Sequence, residues 1–435
     1  MNELFSSFKT VTTDEWQTQV SKDLKGESIN DLFWQHEDGF TVKPFYTQQD
    51  CTDQSEPAFT HTDWQIGVRA QKESATEINK YLLRSLQTGA TSIVVDAKDA
   101  SLSQALEGVG LQYIHSTFIS TKNSLSEIRK LISIHPGSGK QISILPEEIG
   151  DANYKKFVGE AVALSKKEGV RLPGADTLHF HNQSCFATYE VALLFAQLVE
   201  FLDAAGSDQG NNAIAIRMGV SADYFTQISK LRAVRRLWFL IRKEYDLSNE
   251  LYLIVETGLS NKSLSDSYNN LLRSTVESMA AVAGGCNELI VQPFDALFPK
   301  RKNLGERMAI NQQLILKEES HLSRMGDVAC GSFYIENLTD AIAAKALEIF
   351  KDILSKGGYS ECLRNGTIDA AIKEQAQKRS QLIKEGKQLV IGVNKFRNDK
   401  EDVHVDGSVV DHIKKLRISN PVLKYELEQF FQKLA

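Results

Sequence analysis

The sequence predicts a closed (β/α)8 barrel with an N-terminal extended arm and a C-terminal helical extension. Three observations carry this. Eight apolar or β-rich runs recur between Trp64 and Gln292. Segments with apolar residues three to four apart separate them, the spacing of helices that bury one face. No Gly-x-Gly-x-x-Gly follows the first run, which sets aside the runner-up, an open doubly wound sheet built for dinucleotides. Strand–helix alternation repeated eight times over roughly 250 residues is the pattern of a parallel barrel.

The first 58 residues stand outside that repeat. Thr13 to Leu24 reads as a helix with Thr13 as N-cap, acids in its first turn and Lys25-Gly26 at its close. Phe40-Thr41-Val42, Pro44 and a polar stretch from Gln48 to Glu56 follow. Such a segment has too little periodic apolar surface for its own core, so it must lie on another surface, that of its own barrel or of a partner. The eight runs are Trp64–Ala70, Ser92–Ala97, Tyr113–Ser120, Gln141–Leu145, Thr177–Asn182, Ala213–Met218, Leu251–Thr257 and Glu288–Gln292. Helical patterns between them include Ala75–Leu86, a weak one at Leu102–Val109, Tyr154–Leu164, Val191–Leu202, Tyr224–Ile241 and Leu271–Val282. After the eighth run come helices over Asn303–Glu319, Thr339–Ser355 and Thr367–Glu385, a short apolar run at Leu389–Val393, and one amphipathic helix ending at Ala435. The domain reading is an arm over residues 1–58, the barrel with its following helices over 59–395, and a linker with a terminal helix over 396–435.

Composition narrows the function. The 435 residues are 42% hydrophobic and 24% charged, with net charge −6. No basic stripe stands out, so nucleic acid is not an expected partner. No apolar run reaches membrane-spanning length, and the N-terminus has no apolar signal region. Five widely spaced cysteines without a CxxC argue against a disulfide framework and for a reducing, cytoplasmic protein. No His/Cys spacing fits a metal site.

The chemistry-bearing candidates cluster at run ends, where barrels build their pockets. His181 and Gln183 end the fifth run. Arg217 ends the sixth, Glu256 the seventh and Gln292 the eighth, with Asp295 just beyond. Buried charges are normally paired, so Arg217, Glu256 and Asp295 are expected to form an internal ion pair that plugs the barrel rather than an anion pocket. Arg232, Arg235, Arg236 and Arg242 share one long helix, where a solvated or interface face is expected.

Several motifs resemble the methylmalonyl-CoA mutase family, whose members are adenosylcobalamin-dependent isomerases. They are Lys230-Leu231-Arg232-Ala233 with Arg235 and Trp238; Tyr268-Asn269-Asn270 with Arg273 and Glu277; Glu318-Glu319-Ser320; Gly331-Ser332 with Glu336; and Ile391 to Arg397. Asp23 to Gly26 and Val42 to Thr47 resemble the family's N-terminal arm. The similarity covers residues from about 13 to 408, and its specificity lies in the order and spacing of the runs. It implies a barrel that admits a CoA thioester along its axis, with a cobalamin domain over the open end.

Departures from the family pattern bear on mechanism. A tyrosine-bearing run before the first strand is here Phe59-Thr60-His61-Thr62-Asp63-Trp64, without the hydroxyl. Arg, His and Gln of the seventh strand become Ile254, Glu256 and Gly258, and a later His-Thr-Asn becomes Ile290-Val291-Gln292. His181 and Gln183 match the catalytic His-x-Gln, so they are the residual family pocket. Asp402-x-His404-x-x-Gly407 matches the cobalt-ligating run of cobalamin domains, but lies where the family has its post-barrel linker. Without its structural context it is expected to be a linker histidine. The resemblance thus implies the small subunit of a heterodimeric mutase, probed by an expected partnership with the large subunit, or a self-dimer in its absence. Adenosylcobalamin is then expected on the partner and no cofactor on this chain. Two alternatives stay open: an active acyl-CoA mutase barrel served by a separate cobalamin-binding chain, and a non-enzymatic scaffold or effector-binding barrel.

Overall fold

The computed structural model describes residues 7, 9, 11–50, 58–71, 74–96, 101–120, 124–147, 149–150, 153–206, 209–299, 303–398 and 405–434. Its centre is a sheet of eight parallel strands: Gln65–Ala70, Ser92–Asp96, His115–Ser120, Ile142–Pro146, Leu172–Asp176, Ile214–Val220, Leu251–Thr257 and Glu288–Ile290. The first strand pairs with both the second and the eighth. A parallel bridge between Ser143 and Arg171, with Arg171 N–H donating to Ile142 O at 2.9 Å, joins the fourth strand to the fifth. That bridge closes the ring, so the sheet is a barrel with no long free edge.

Seven of the eight runs coincide with strands. The fifth does not. Thr177–Asn182 was expected to be a strand, but Leu178–Asn182 is a short helix, and the strand is the preceding Leu172–Asp176. Pro173 and Gly174 disguise it, because proline cannot donate to a ladder and glycine weakens one. Here the register shifts between Pro173 and Ala175, and a Cβ on Gly174 would stand 2.5 Å from the Ile214 side chain and 2.8 Å from Ala215 O. The bulge and the missing side chain let the fifth strand lie against the sixth.

Helix Ala187–Ala205 is apolar on nearly all sides and buried almost throughout, because Phe333–Ser355 packs on the face turned from the sheet. Phe333–Ser355 starts six residues before its expected start. The single terminal helix is two, Gly407–Leu416 and Pro421–Leu434, broken where Arg417 adopts φ 51° and Pro421 restarts the chain. The N-terminal helix is Thr13–Asp23, and its cap is Thr12, which exchanges a capping box with Glu15.

The arm lies on its own barrel. Trp34–Gln35 pairs antiparallel with Thr41–Val42, and the turn between them points inward. There His36 Nδ1 lies 3.0 Å from Asp38 and Nε2 lies 3.0 Å from Thr226 Oγ1. Asp38 accepts from the backbone N–H of Thr188 at 3.0 Å. Glu37 receives both Nε and Nη2 of Arg379. The arm therefore ties three helices together through buried polar bonds.

The expected solvated arginine face is only partly that. Arg232 is fully buried, donating to Asp327 and, at 2.6 Å, to Glu336. Arg236 bonds Glu336 and the half-exposed Asp340. This network fastens Phe333–Ser355 to helix Tyr224–Glu244. Removing one member of a buried pair strands the other charge, at about 3–5 kcal/mol. Arg232→Ala is expected to lower unfolding stability by that amount in urea titrations, and Arg242→Ala, whose partner Glu250 is exposed, by less than about 1 kcal/mol.

Candidate functional site

The barrel axis is filled from floor to mouth. At the floor, Glu288 accepts from Ser92 Oγ at 2.7 Å and from Tyr252 Oη at 3.4 Å. The Arg171 guanidinium stacks 3.9 Å over the Tyr252 ring, and His115 Nδ1 lies 3.3 Å from both Arg171 Nη2 and Tyr252 Oη. Above lies an apolar layer of Val94, Ile119, Leu145, Ala215, Ile254 and Ile290, each at most 5% exposed. A channel wide enough for an acyl-CoA chain would leave these side chains open to water. The axial passage implied by the family resemblance is closed in this chain.

The mouth layer is charged. Glu256 lies 3.3 Å from Arg69 Nη1 and 3.6 Å from Arg217 Nη1, and takes a bond from Gln292 Nε2. Arg217 also grips Asp176, with Nε at 3.1 Å and Nη2 at 2.5 Å. Burial works against the Arg217 charge, but Asp176 and Glu256 outweigh it and raise its pKa. The expected ionic plug is present, with one correction. Asp295 stands against Gly305 on the next helix, and Asp176 and Arg69 take part instead. Arg217, Glu256 and Gln292 thus share one cluster, in which Arg217 Nε and Nη2 are bonded to Asp176 while Nη1 faces Glu256 without a hydrogen bond.

His181 and Gln183 do not share a site. His181 is buried, with Nδ1 3.0 Å from Glu190 Oε2. Glu190 also accepts from Lys230 Nζ at 2.8 Å and from Gly219 N–H at 3.0 Å. The ring rests on strand backbone, for a Cβ on Gly219 would come within 2.2 Å of it and one on Gly258 within 2.5 Å of Nε2. Nε2 itself has no hydrogen-bond partner. Burial lowers the His181 pKa. Burial acts to raise that of Glu190, but Lys230 and His181 prevail and bring it down to about 2. Glu190 is therefore an acceptor, and His181 Nδ1–H is donated to it. Gln183 turns away and lines a cavity of about 290 Å³ with Ala376, Gln377 and Lys424.

Phe59 does not touch the mouth. It lies before the first strand, at the floor end, packed on Gly285 and 5.5 Å from the Arg235 guanidinium. Its missing hydroxyl removes nothing from the mouth, where the first strand presents Arg69. Asp402 and His404 lie outside the described residues. Beyond them, Asp406 caps helix Gly407–Leu416, and this helix and its successor pack on the barrel mouth. Asn420 Nδ2 donates to Leu259 O and Lys262 O, and Glu426 accepts from the N–H groups of Leu264 and Ser265. A corrin-binding strand–helix unit does not fit this helical pair. Among the described residues, no cluster of three His, Cys, Asp or Glu could hold a metal ion, and no helix is long and apolar enough to cross a membrane.

Glu190, Lys230, Asp176 and Arg69 escaped the sequence reading. Lys230 stood only in a family motif, and Glu190 sits within an apolar helix. That position was the available signal, since an acid in a buried face requires a cation.

The floor sets a pH dependence. Burial pushes Glu288 up to about 7 from an ordinary 4.5, against Ser92, Arg171 and Tyr252, which lower it. The unfolded chain releases this proton near pH 4.5 and the folded chain near 7. The contribution is therefore complete below pH 4.5 and lost as pH rises towards 7, by about 3 kcal/mol. Glu288→Gln is expected to flatten that slope in denaturant titrations from pH 4.5 to 7.5, with stability at pH 7.5 at least that of the parent.

Comparison with known proteins agrees with these motifs. The family model described as Methylmalonyl-CoA mutase matches residues 174–423. The chain is 27% identical over 440 residues to a Methylmalonyl-CoA mutase small subunit of Porphyromonas gingivalis, covering 91% of this chain and 71% of that protein. It is 27% identical over 442 residues to a small subunit of that name from Streptomyces virginiae, covering 90% and 71%. To the mitochondrial Methylmalonyl-CoA mutase of Bos taurus it is 26% identical over 467 residues, 92% of this chain but 62% of that protein. The chain belongs to the methylmalonyl-CoA mutase family.

Proposed function

We propose that this chain is the small, non-catalytic subunit of a two-chain methylmalonyl-CoA mutase. A larger partner would hold the acyl-CoA and adenosylcobalamin, and this chain would supply an interface and stability. The supporting observation is the filled axis, above all Glu256 between Arg69 and Arg217. A methylmalonyl or succinyl thioester brings a free carboxylate. That group needs a guanidinium with donors to spare. Here Arg217 is held by Asp176 and Glu256, and Ile254 stands where the family pattern has arginine. The lost charge-assisted bond and the added repulsion amount to roughly 3–5 kcal/mol, or about two to four decades in affinity. The isolated chain is expected to give no saturable heat with methylmalonyl-CoA or succinyl-CoA below about 1 mM in isothermal titration. Micromolar binding abolished by His181→Ala would replace this reading with an active barrel served by a separate cobalamin chain.

The arm supports a partner surface, because Trp34 and Phe45 stay part-exposed beyond their contacts with His36 and Trp16. Trp34 and Phe45 remain 42% and 47% exposed. Aromatic side chains of this kind anchor interfaces. Trp34→Ser with Phe45→Ser is expected to weaken association with a co-expressed large subunit, or self-association without one, at least tenfold by light scattering. Unchanged assembly mass across dilution would remove the arm from the interface.

A further inference from the structure

We propose that a cavity beside the closed mouth binds a small anion with an aliphatic body, of the short-chain carboxylate class. The cavity has a volume of about 470 Å³, within the range of ligand pockets. It lies between the loops after the sixth and seventh strands, with the arm and the segment from Gln388 to Ile391 as its roof. It is separate from the axis, so the inference stands or falls independently of the subunit reading.

Arg273 supplies the charge. It lies on helix Tyr268–Ala283 and lines the cavity. Its guanidinium is held by neutral groups alone: Nη1 donates to Ser263 Oγ and Asn270 Oδ1, and Nη2 to Ile391 O. No carboxylate stands within 4.0 Å of it among the described residues. The nearby acids are engaged elsewhere: Glu277 with Lys262 and Asn261, Glu426 with two backbone N–H groups, Asp266 with Asn269. Arg379, the other cation lining the cavity, is neutralised by Glu37. Glu277, Glu426 and Asp266 act on it only from beyond that distance, and a partly buried guanidinium with unused N–H donors and no carboxylate in contact favours one from outside.

The other walls define the rest of the ligand. Leu272 and Val276 extend from the same helix face as Arg273, and Leu389 and Ile391 lie opposite, all four exposed by 37–65%. Together they form an aliphatic wall facing water. An acyl chain of four to six carbons would cover it, at ~25 cal/mol per Å² of apolar surface removed from water. Asp223 lines the cavity from the sixth loop, where Thr226 and His36 attend it. Its contacts share none with those of Arg273, so the anion seat is at the Arg273 wall and the tail passes beneath Leu389.

The test uses the full chain with hexanoate as probe, and inorganic phosphate as the anion without an aliphatic body. Titration calorimetry is expected to show saturable hexanoate binding below about 10 mM and none for phosphate. Arg273→Met should weaken hexanoate at least tenfold. Because Arg273 also braces Ser263 and Asn270, a second variant separates binding from folding: Val276→Trp, at a solvent-facing position, should fill the cavity and abolish binding with an unchanged melting temperature. Absent hexanoate binding, binding indifferent to both variants, or equal binding of phosphate would each overturn the proposal.

Discussion

A carboxylate on the axis of a barrel has to be paired, and Glu256 sets what the mouth of this one can do. In the dry interior an unpaired carboxylate costs several kcal/mol. Arg69, Arg217 and Gln292 converge on it, and Arg217 in turn takes Asp176. Each of those side chains comes from a different strand end. Pairing Glu256 therefore draws the first, fifth, sixth, seventh and eighth strands together at their carboxyl ends. Those bonds take Arg217 Nε and Nη2, and set Nη1 against the Glu256 charge at 3.6 Å.

The layers beneath obey the same logic. Ile254 precedes Glu256 by two residues on the same inward face, and fills the middle of the axis with five other aliphatic side chains. Glu288 and Tyr252 close the floor. Around the mouth the chain covers itself. The arm enters through His36 and Asp38, and the terminal helices through Asn420 and Glu426. These are hydrogen bonds to backbone and hydroxyl groups at loop ends, which would otherwise be left unsatisfied under a covering segment. His181 keeps its place in this shell because Glu190 holds its Nδ1 and two glycines admit its ring.

Much of the fold was legible because the barrel's strands are short apolar runs at regular intervals, and that signal is local. The exception teaches why. In the fifth strand, Pro173 and Gly174 carry turn chemistry, yet the neighbouring sixth strand accepts them through a bulge. No local pattern contains that neighbour. The site divides in the same way. Arg217, Glu256 and Gln292 were legible as inward polar side chains at run ends. Their partners Asp176 and Arg69 were not, because pairing around a ring is decided by register. His181 and Gln183, two residues apart, separate because a helix turn rather than a strand carries them. In a strand, such positions share a face; on this turn they diverge by about 200°.

The axis is closed to water and to any acyl chain by its aliphatic layer. The most direct test of this closure is thiol accessibility on the axis itself. Ala215 is fully buried in the aliphatic layer. With Cys51 and Cys330 replaced by serine, Ala215→Cys should react with a small disulfide reagent no faster than the buried Cys185 and Cys286, with or without methylmalonyl-CoA. Reaction at the rate of an exposed thiol, or saturable protection by methylmalonyl-CoA, would contradict a filled barrel.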